Sequence, residues 1–148
     1  MQKIALGLGC FWGPEESFKS KPGIIETEVG YAGGTSAKVT YEEVCTGSTG
    51  HAEVVRLTFD ENIISFKKIL DLFFKMHDPT QKDMQYPDVG TQYRSEIFYE
   101  NEKQKQEAFE VLDELNKKLD GKIQTNISKI KNYCKAEEYH QKYIEKNR

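Results

Sequence analysis

The chain has no long apolar run: of its 148 residues, the longest stretch without a charged side chain is Ile4 to Pro14, well short of the ~20 residues that a membrane-spanning helix needs. A membrane-spanning helix is excluded. That stretch is a poor secretory signal too, since only Lys3 precedes it, no small-x-small cleavage site follows, and Gly7 stands where a lipoprotein signal has Leu three residues before Cys10. It reads as mature protein, and the expected location is cytoplasmic.

Charge of one sign is also lacking. The 21 basic and 24 acidic residues leave a net charge of -3, and nowhere do five like charges run together, so there is no electrostatic footprint for nucleic acid. Cysteine is scarce and odd in number: Cys10, Cys45 and Cys134, with no C-x-x-C. A disulfide framework is excluded, and at least one free thiol in a reducing compartment is expected. His51, His77 and His140 are scattered, and the spacing from Cys134 to His140 matches no established ligand pairing, so no metal site is expected. Proline is limited to four residues, and there is no repeat, linker or low-complexity tract. One domain over residues 1–148 is expected.

What is present suits a folded domain. Ile, Leu, Val and Phe total 34, with sixteen Phe and Tyr together, enough apolar matter for a core. Lys3 to Gly9 reads as a buried strand, followed by a helix with Gly13 as cap, Pro14 at its first position and acids in its first turn. Ile24 to Tyr31 alternates as a second strand, with Ile25, Val29 and Tyr31 on one face. Glu53 to Phe59 is a third, and its parity puts Glu53 on the same face as Val55, Leu57 and Phe59. A carboxylate is thereby aimed at the core.

Ser65 caps a helix with the stripe Phe66, Ile69, Leu70, Phe73 and His77, ended by Pro79. Gln92 to Tyr99 reads as a fourth strand. Asn101 with Gln104 suggests a capping box for a second long helix, with Ala108, Val111, Leu112, Leu115 and Leu119 inward and Gly121 at its end. A third helix spans Ala136 to Glu145. The resulting order, β-α-β-β-α-β-α, predicts an α+β fold, a compact two-layer sandwich of a mixed sheet with packed helices.

Cys10 stands where a strand feeds a helix. A helix N-terminus favours thiolate over thiol, although the charges of Glu15 and Glu16 oppose it. Unpaired cysteines are more often inert core residues, and position alone leaves both readings open. The glycines Gly7, Gly9 and Gly13 loosely resemble a dinucleotide fingerprint, but Trp12 occupies the third glycine position, where an indole obstructs approach to a pyrophosphate. Buried Glu53 has two readings: a desolvated carboxyl with a raised pKa, or a structural carboxylate paired with Arg56 or Arg94 and so lowered.

The segment Gly9-Cys10-Phe11-Trp12-Gly13 resembles the signature of the peptide methionine sulfoxide reductase A family. Tyr41 to Cys45, then Gly47 and Thr49 to Val55, is similar to that family's second motif, and Asp88 to Ser95 to its third. His77 to Gln81 and Ala136 to Gln141 match as well, so the resemblance runs in order along nearly the whole chain. It implies an α+β sandwich and reduction of the S epimer of methionine sulfoxide, free or in proteins, as antioxidant repair.

By that resemblance Cys10 is the nucleophile, Glu53 the acid on the sulfoxide oxygen, and Tyr41 and Tyr93 the phenols that bind that oxygen. Phe11 and Trp12 are the apolar wall around the methyl group, and Asp88 helps order the site. His51, His140 and Cys45 are read as structural. No metal or organic cofactor is implied, and the sulfenic acid formed on Cys10 is reduced by an external thiol: glutathione, glutaredoxin or thioredoxin.

Many family members carry resolving cysteines in a Gly-rich C-terminal tail. Here the sequence given closes on Tyr143 to Arg148, so a form without that thiol is expected. Cys134 has no motif assignment as its replacement and would need its Cα within about 7 Å of that of Cys10. Some tail-less members have selenocysteine at the Cys10 position. The run Met84 to Pro87 departs from the family's usual one before Asp88. A binding protein that recognises the sulfoxide or a nucleotide without turnover is the alternative from a different class.

Overall fold

A computed structural model of the chain describes residues 1–147. Its elements in order are β1 (Gln2–Leu8), α1 (Trp12–Lys19), β2 (Ile24–Ala32), α2 (Tyr41–Cys45), β3 (Ala52–Phe59), α3 (Phe66–Met76), β4 (Met84–Gln85) and β5 (Asp88–Val89). They continue with β6 (Ser95–Tyr99), α4 (Glu102–Lys118), β7 (Asn126–Lys129), β8 (Cys134–Lys135) and α5 (Tyr143–Lys146), with short 3₁₀ turns at Thr91–Tyr93 and Glu138–His140. Strands align as β7-β6-β1-β3-β2-β8, while β4 and β5 form a separate two-stranded ribbon.

The sheet is mixed, as expected for the α+β class. Neighbours pair antiparallel except β6 with β7, which run parallel. The exception follows from connectivity, because α4 carries the chain from the end of β6 back to the start of β7, the crossover that a parallel pair requires. β1 lies inside the sheet and is apolar on both faces. Ile4, Leu6 and Leu8 join the large core with Phe18 of α1, Phe73 of α3 and Ala108 of α4, where each buried large side chain contributes about 1.5–3 kcal/mol.

The opposite face is lined by Ala5, Ala32, Ala52, Val54 and Phe98. Small side chains suit it because an irregular segment, through Ile130 and Tyr133, covers it closely. At Gly30 a Cβ would lie 2.7 Å from both the Tyr133 ring and the Cys134 carbonyl. Only glycine fits there.

Several local readings are corrected. Helix α1 begins at Trp12 with Phe11 at its cap, so Pro14 is its third residue rather than its first; that is tolerated because first-turn N–H groups have no partner within the helix. Ile25 is 53% exposed, since a register shift between Ile24 and Glu26 swings it out of the alternation. Of the α4 stripe only Ala108 is fully buried. Asn101 accepts from Gln104 N (2.9 Å), but the Gln104 side chain accepts from Glu100 N (2.8 Å), so the reciprocal half of the box is displaced by one residue.

Other elements escaped the sequence reading. Helix α2 carries a full capping box between Thr40 and Glu43, and β7 and β8 are short edge strands. The expected fourth strand starts at Ser95, because Thr91–Tyr93 coils into a 3₁₀ turn. The expected C-terminal helix is broken, with Lys142 held at φ 50° because Glu15 Oε1 takes its N–H at 2.6 Å.

Candidate active site

β1 leaves the sheet at Leu8 and turns through Gly9, whose φ of 95° is open to glycine. The turn sets Cys10 half-buried before α1, with the Trp12 N–H donating to its sulfur. Burial pushes the Cys10 thiol up to about 11, against that hydrogen bond, and the charges of Glu53 and Asp88 add to the rise. The expected bias toward thiolate is therefore reversed, since loss of water outweighs the helix terminus.

The opposing charges also differ from those expected. They come from β3 and β5, whereas Glu15 points into the protein and accepts from Thr27 Oγ1 (2.8 Å) and Lys142 N (2.6 Å). Glu16 pairs with Lys19 at 3.0 Å.

Glu53 is 1% exposed and sits on β3 opposite Tyr31 of β2, on the core face that strand parity assigns to it. Burial pushes its carboxyl up to about 7, against hydrogen bonds donated by the Gln92 side chain and the Phe11 N–H; the Asp88 charge adds to the rise. The paired-carboxylate reading is overturned by the arginines themselves. Arg56 binds Glu100 at 2.7 Å and Arg94 binds Glu96 at 2.6 Å.

Two phenols join the site. Tyr93 belongs to the 3₁₀ turn after Gly90 and is pushed up to about 12, first by burial and then by the charges of Glu53, Asp88, Cys45 and Cys10. Tyr41 opens α2 and is raised above the usual phenol range, first by burial and then by a hydrogen bond shared with Cys45. Both remain neutral donors at neutral pH. Half-buried Asp88 lies on β5, not in an exposed turn, and its charge reaches Cys10, Glu53 and Tyr93.

Phe11 is 2% exposed, whereas Trp12 keeps a partly exposed ring. That ring stacks on Tyr143 at 3.8 Å. All seven residues singled out from the sequence thus lie in one hydrogen-bonded, electrostatic and aromatic neighbourhood.

The structure adds four more. Gln92 Nε2 donates to Glu53 Oε2 (2.8 Å) and to Cys45 Sγ (3.5 Å), so exposed Cys45 belongs to the site's network. Glu137 accepts from the Tyr31 hydroxyl and from Tyr41 N, both at 2.8 Å, and so braces β2 against α2. His140 is 2% exposed beside Trp12. Gln92 and Glu137 fall inside the motif blocks quoted above, yet no local pattern marks them, since each acts through a partner distant in sequence. Cys134 lies on β8 opposite Tyr31, with its sulfur 3.6 Å from the Val39 carbonyl.

Among the described residues no group of three or more His, Cys, Asp or Glu side chains is arranged to hold a metal ion, and no helix is long and apolar enough to cross a membrane.

The assembled residues can be compared with known proteins. MsrA of Pelagibacter ubique, a peptide methionine sulfoxide reductase, is 59% identical over 146 residues, 99% of each chain. The MsrA of Methanosarcina acetivorans is 50% identical over 148 residues, 99% of this chain and 79% of that protein. Among solved structures, methionine sulfoxide reductase A of Corynebacterium diphtheriae has a TM-score of 0.94 at 38% identity, covering 99% of this chain and 74% of the other. Reduced Mxr1 of Saccharomyces cerevisiae has a TM-score of 0.93 at 39% identity, covering 99% and 85%. Mxr1 in complex with Trx2 is similar over 96% of this chain and 84% of that one, at 28% identity and a TM-score of 0.68. The sequence model of one family, peptide methionine sulfoxide reductase, matches residues 2–148, and the chain belongs to that family.

Proposed function

We propose that the chain is one catalytic unit that reduces the S epimer of methionine sulfoxide, free or in proteins, by attack of the Cys10 sulfur on the sulfoxide sulfur. The observation that carries this reading is the buried Glu53 carboxyl, raised by burial to about 7 with no cation paired to it among the described residues, in electrostatic contact with Cys10. A sulfoxide sulfur is electrophilic, but its oxygen departs only if protonated or strongly hydrogen-bonded. Glu53 in its acid form supplies the proton, and the hydroxyls of Tyr41 and Tyr93 hold the oxygen.

Phe11 and Trp12 seat the methyl group, and Asp88 keeps the ribbon of β4 and β5 ordered beside Cys10. The step balances: Cys10 thiol and sulfoxide become Cys10 sulfenic acid and methionine, with the oxygen leaving sulfur for sulfur and no net proton. Two equivalents of external thiol then return Cys10 to thiol with release of water and a disulfide. Glutathione, glutaredoxin and thioredoxin all supply that chemistry, and the complex of yeast Mxr1 with Trx2 favours the last. A reducing cytoplasm is the compartment that fits this cycle.

The test is consumption of the S and R epimers of a blocked methionine sulfoxide with dithiothreitol as reductant. Turnover confined to the S epimer, unchanged in Cys134→Ser, is expected. Turnover of neither epimer overturns the reading, and loss of turnover in Cys134→Ser overturns the recycling by external thiol.

A further inference from the structure

We propose that Glu137 is a positioning residue for the reaction: its carboxylate ties the backbone of Tyr41 to the hydroxyl of Tyr31 and so sets the oxygen-binding phenol at its working distance from Glu53. The inference rests on the reading of Tyr41 and Glu53 as groups that meet the sulfoxide oxygen. It begins from α2, which is too short to hold a phenol by packing alone. Of its five residues only Val44 is buried, and residues 35–38 before it and 46–48 after it are exposed.

The capping box of α2 is closed between Thr40 and Glu43, which leaves the Tyr41 N–H with no acceptor inside the helix. Glu137 Oε2 takes that N–H at 2.8 Å, and Glu137 Oε1 takes the Tyr31 hydroxyl at 2.8 Å. Tyr31 is fully buried and lies directly opposite Glu53 across β2 and β3. One carboxylate therefore joins the helix that carries the phenol to the strand pair that carries the acid.

The carboxylate has a firm base. Ala136 N donates to Val29 O at 3.0 Å, and Gln141 Nε2 donates to Val29 O (2.8 Å) and to Ala136 O (3.0 Å), so the backbone just before Glu137 is pinned to β2. Burial alone would raise the Glu137 carboxyl, but hydrogen bonds from the Tyr41 N–H, its own N–H and the Tyr31 hydroxyl lower it below its usual value, which keeps both oxygens as acceptors. Without the clamp the Tyr41 backbone can tilt, and the tilt is carried to the hydroxyl at the far end of the ring, where a misplacement of about 1 Å costs up to about 10²-fold in rate. Substrate binding is spared, because Phe11 and Trp12 belong to α1 and its cap.

The experiment measures kcat and KM for the S epimer of a blocked methionine sulfoxide in Glu137→Ala, Glu137→Gln and Tyr31→Phe, each also made in a Tyr41→Phe background, with folding checked by thermal melts. Expected is a kcat about tenfold lower in Glu137→Ala and about threefold lower in Tyr31→Phe, with KM within about twofold of wild type. Glu137→Gln should stay within about twofold of the wild-type kcat, because its amide oxygen still accepts from the Tyr41 N–H while its amide nitrogen donates to the Tyr31 oxygen. In the Tyr41→Phe background none of the three should lower kcat further by more than about twofold. Full additivity there would overturn the inference, as would a wild-type kcat in a folded Glu137→Ala or a loss in Glu137→Gln equal to that in Glu137→Ala. Tyr31→Phe keeps its ring, so its non-additivity with Tyr41→Phe decides the matter if Glu137→Ala does not fold. Absence of wild-type turnover would instead strike at the proposed reaction. The clamp is then tested by alkylation of Cys45, which shares a hydrogen bond with Tyr41: a rate changed about twofold or more in Glu137→Ala supports it, and a wild-type rate overturns it.

Discussion

Gln92 donates from a single amide nitrogen to Glu53 Oε2 at 2.8 Å and to Cys45 Sγ at 3.5 Å. The proposed acid, Glu53, is thereby held by an uncharged donor, which orients the carboxyl without forcing it to ionise. An arginine there would do the reverse.

The pH dependence of kcat/KM follows from the two site pKa values, Glu53 at about 7 and Cys10 at about 11. Below 7 the acid is protonated and thiolate grows about tenfold per pH unit, so the rate climbs. Between 7 and 11 each unit adds thiolate about tenfold and removes protonated Glu53 about tenfold, so the rate is flat; above 11 it falls. In Glu53→Gln the rate should be lower by about 10²–10⁴ near pH 7, and the gap should narrow about tenfold per unit above it. Gln92→Met removes a bond that lowers the Glu53 pKa and should move the break upward. A Glu53→Gln profile parallel to wild type would remove the acid assignment.

The same carboxyl costs stability. Its folded pKa of about 7 lies above the ordinary glutamate value of 4.5, so the folded state binds the extra proton between those values. Stability contributed through Glu53 therefore falls as pH rises from 4.5 to 7 and is constant above, a loss of up to roughly 3 kcal/mol. His77, pushed down to about 4 by burial, acts with opposite sign between 4 and 6.5, so whole-protein curves mix the two. The difference between wild type and Glu53→Gln isolates Glu53. In urea denaturation the variant should gain stability relative to wild type from pH 4.5 to 8, and an unchanged difference would refute the buried-acid account.

The two phenols proposed to hold the oxygen stand on separate elements, α2 and the 3₁₀ turn. Each is a neutral donor that costs no proton transfer, so Tyr41→Phe and Tyr93→Phe should each lower kcat by roughly 10–10² and the double variant by more. Tyr41 also contacts Cys45, so its variant alone should alter Cys45 alkylation rates. Single-turnover kinetics and iodoacetamide labelling separate the two effects.

What the sequence made legible was local. The period-two pattern from Glu53 to Phe59 put the carboxyl on the core face, and the change from strand to helix placed Cys10 at a junction. What it hid was set by partners far along the chain. The thiol's pKa is set by burial and by charges from β3 and β5, which together outweigh the Trp12 N–H of its own helix. Thr91–Tyr93 coils because Gln92 reaches Glu53, 39 residues earlier, and Lys142 breaks the last helix because Glu15, 127 residues earlier, takes its N–H. Periodicity does not encode either demand.

The fate of the sulfenic acid is decided by counting thiols. Cys134 has its sulfur against the Val39 carbonyl, on the edge strand β8, whereas exposed Cys45 shares Gln92 with Glu53. If regeneration is external, one equivalent of sulfoxide without reductant should consume one of the three thiols, leave Cys45 and Cys134 free, and yield a dimedone adduct on Cys10. An internal disulfide would consume two thiols, give no adduct and join two cysteine peptides in a digest. Cys45→Ser and Cys134→Ser should both keep the one-thiol loss, because neither sulfur is spent in the step. Loss of two thiols in wild type but one in Cys45→Ser would replace external regeneration with a Cys10 to Cys45 bridge.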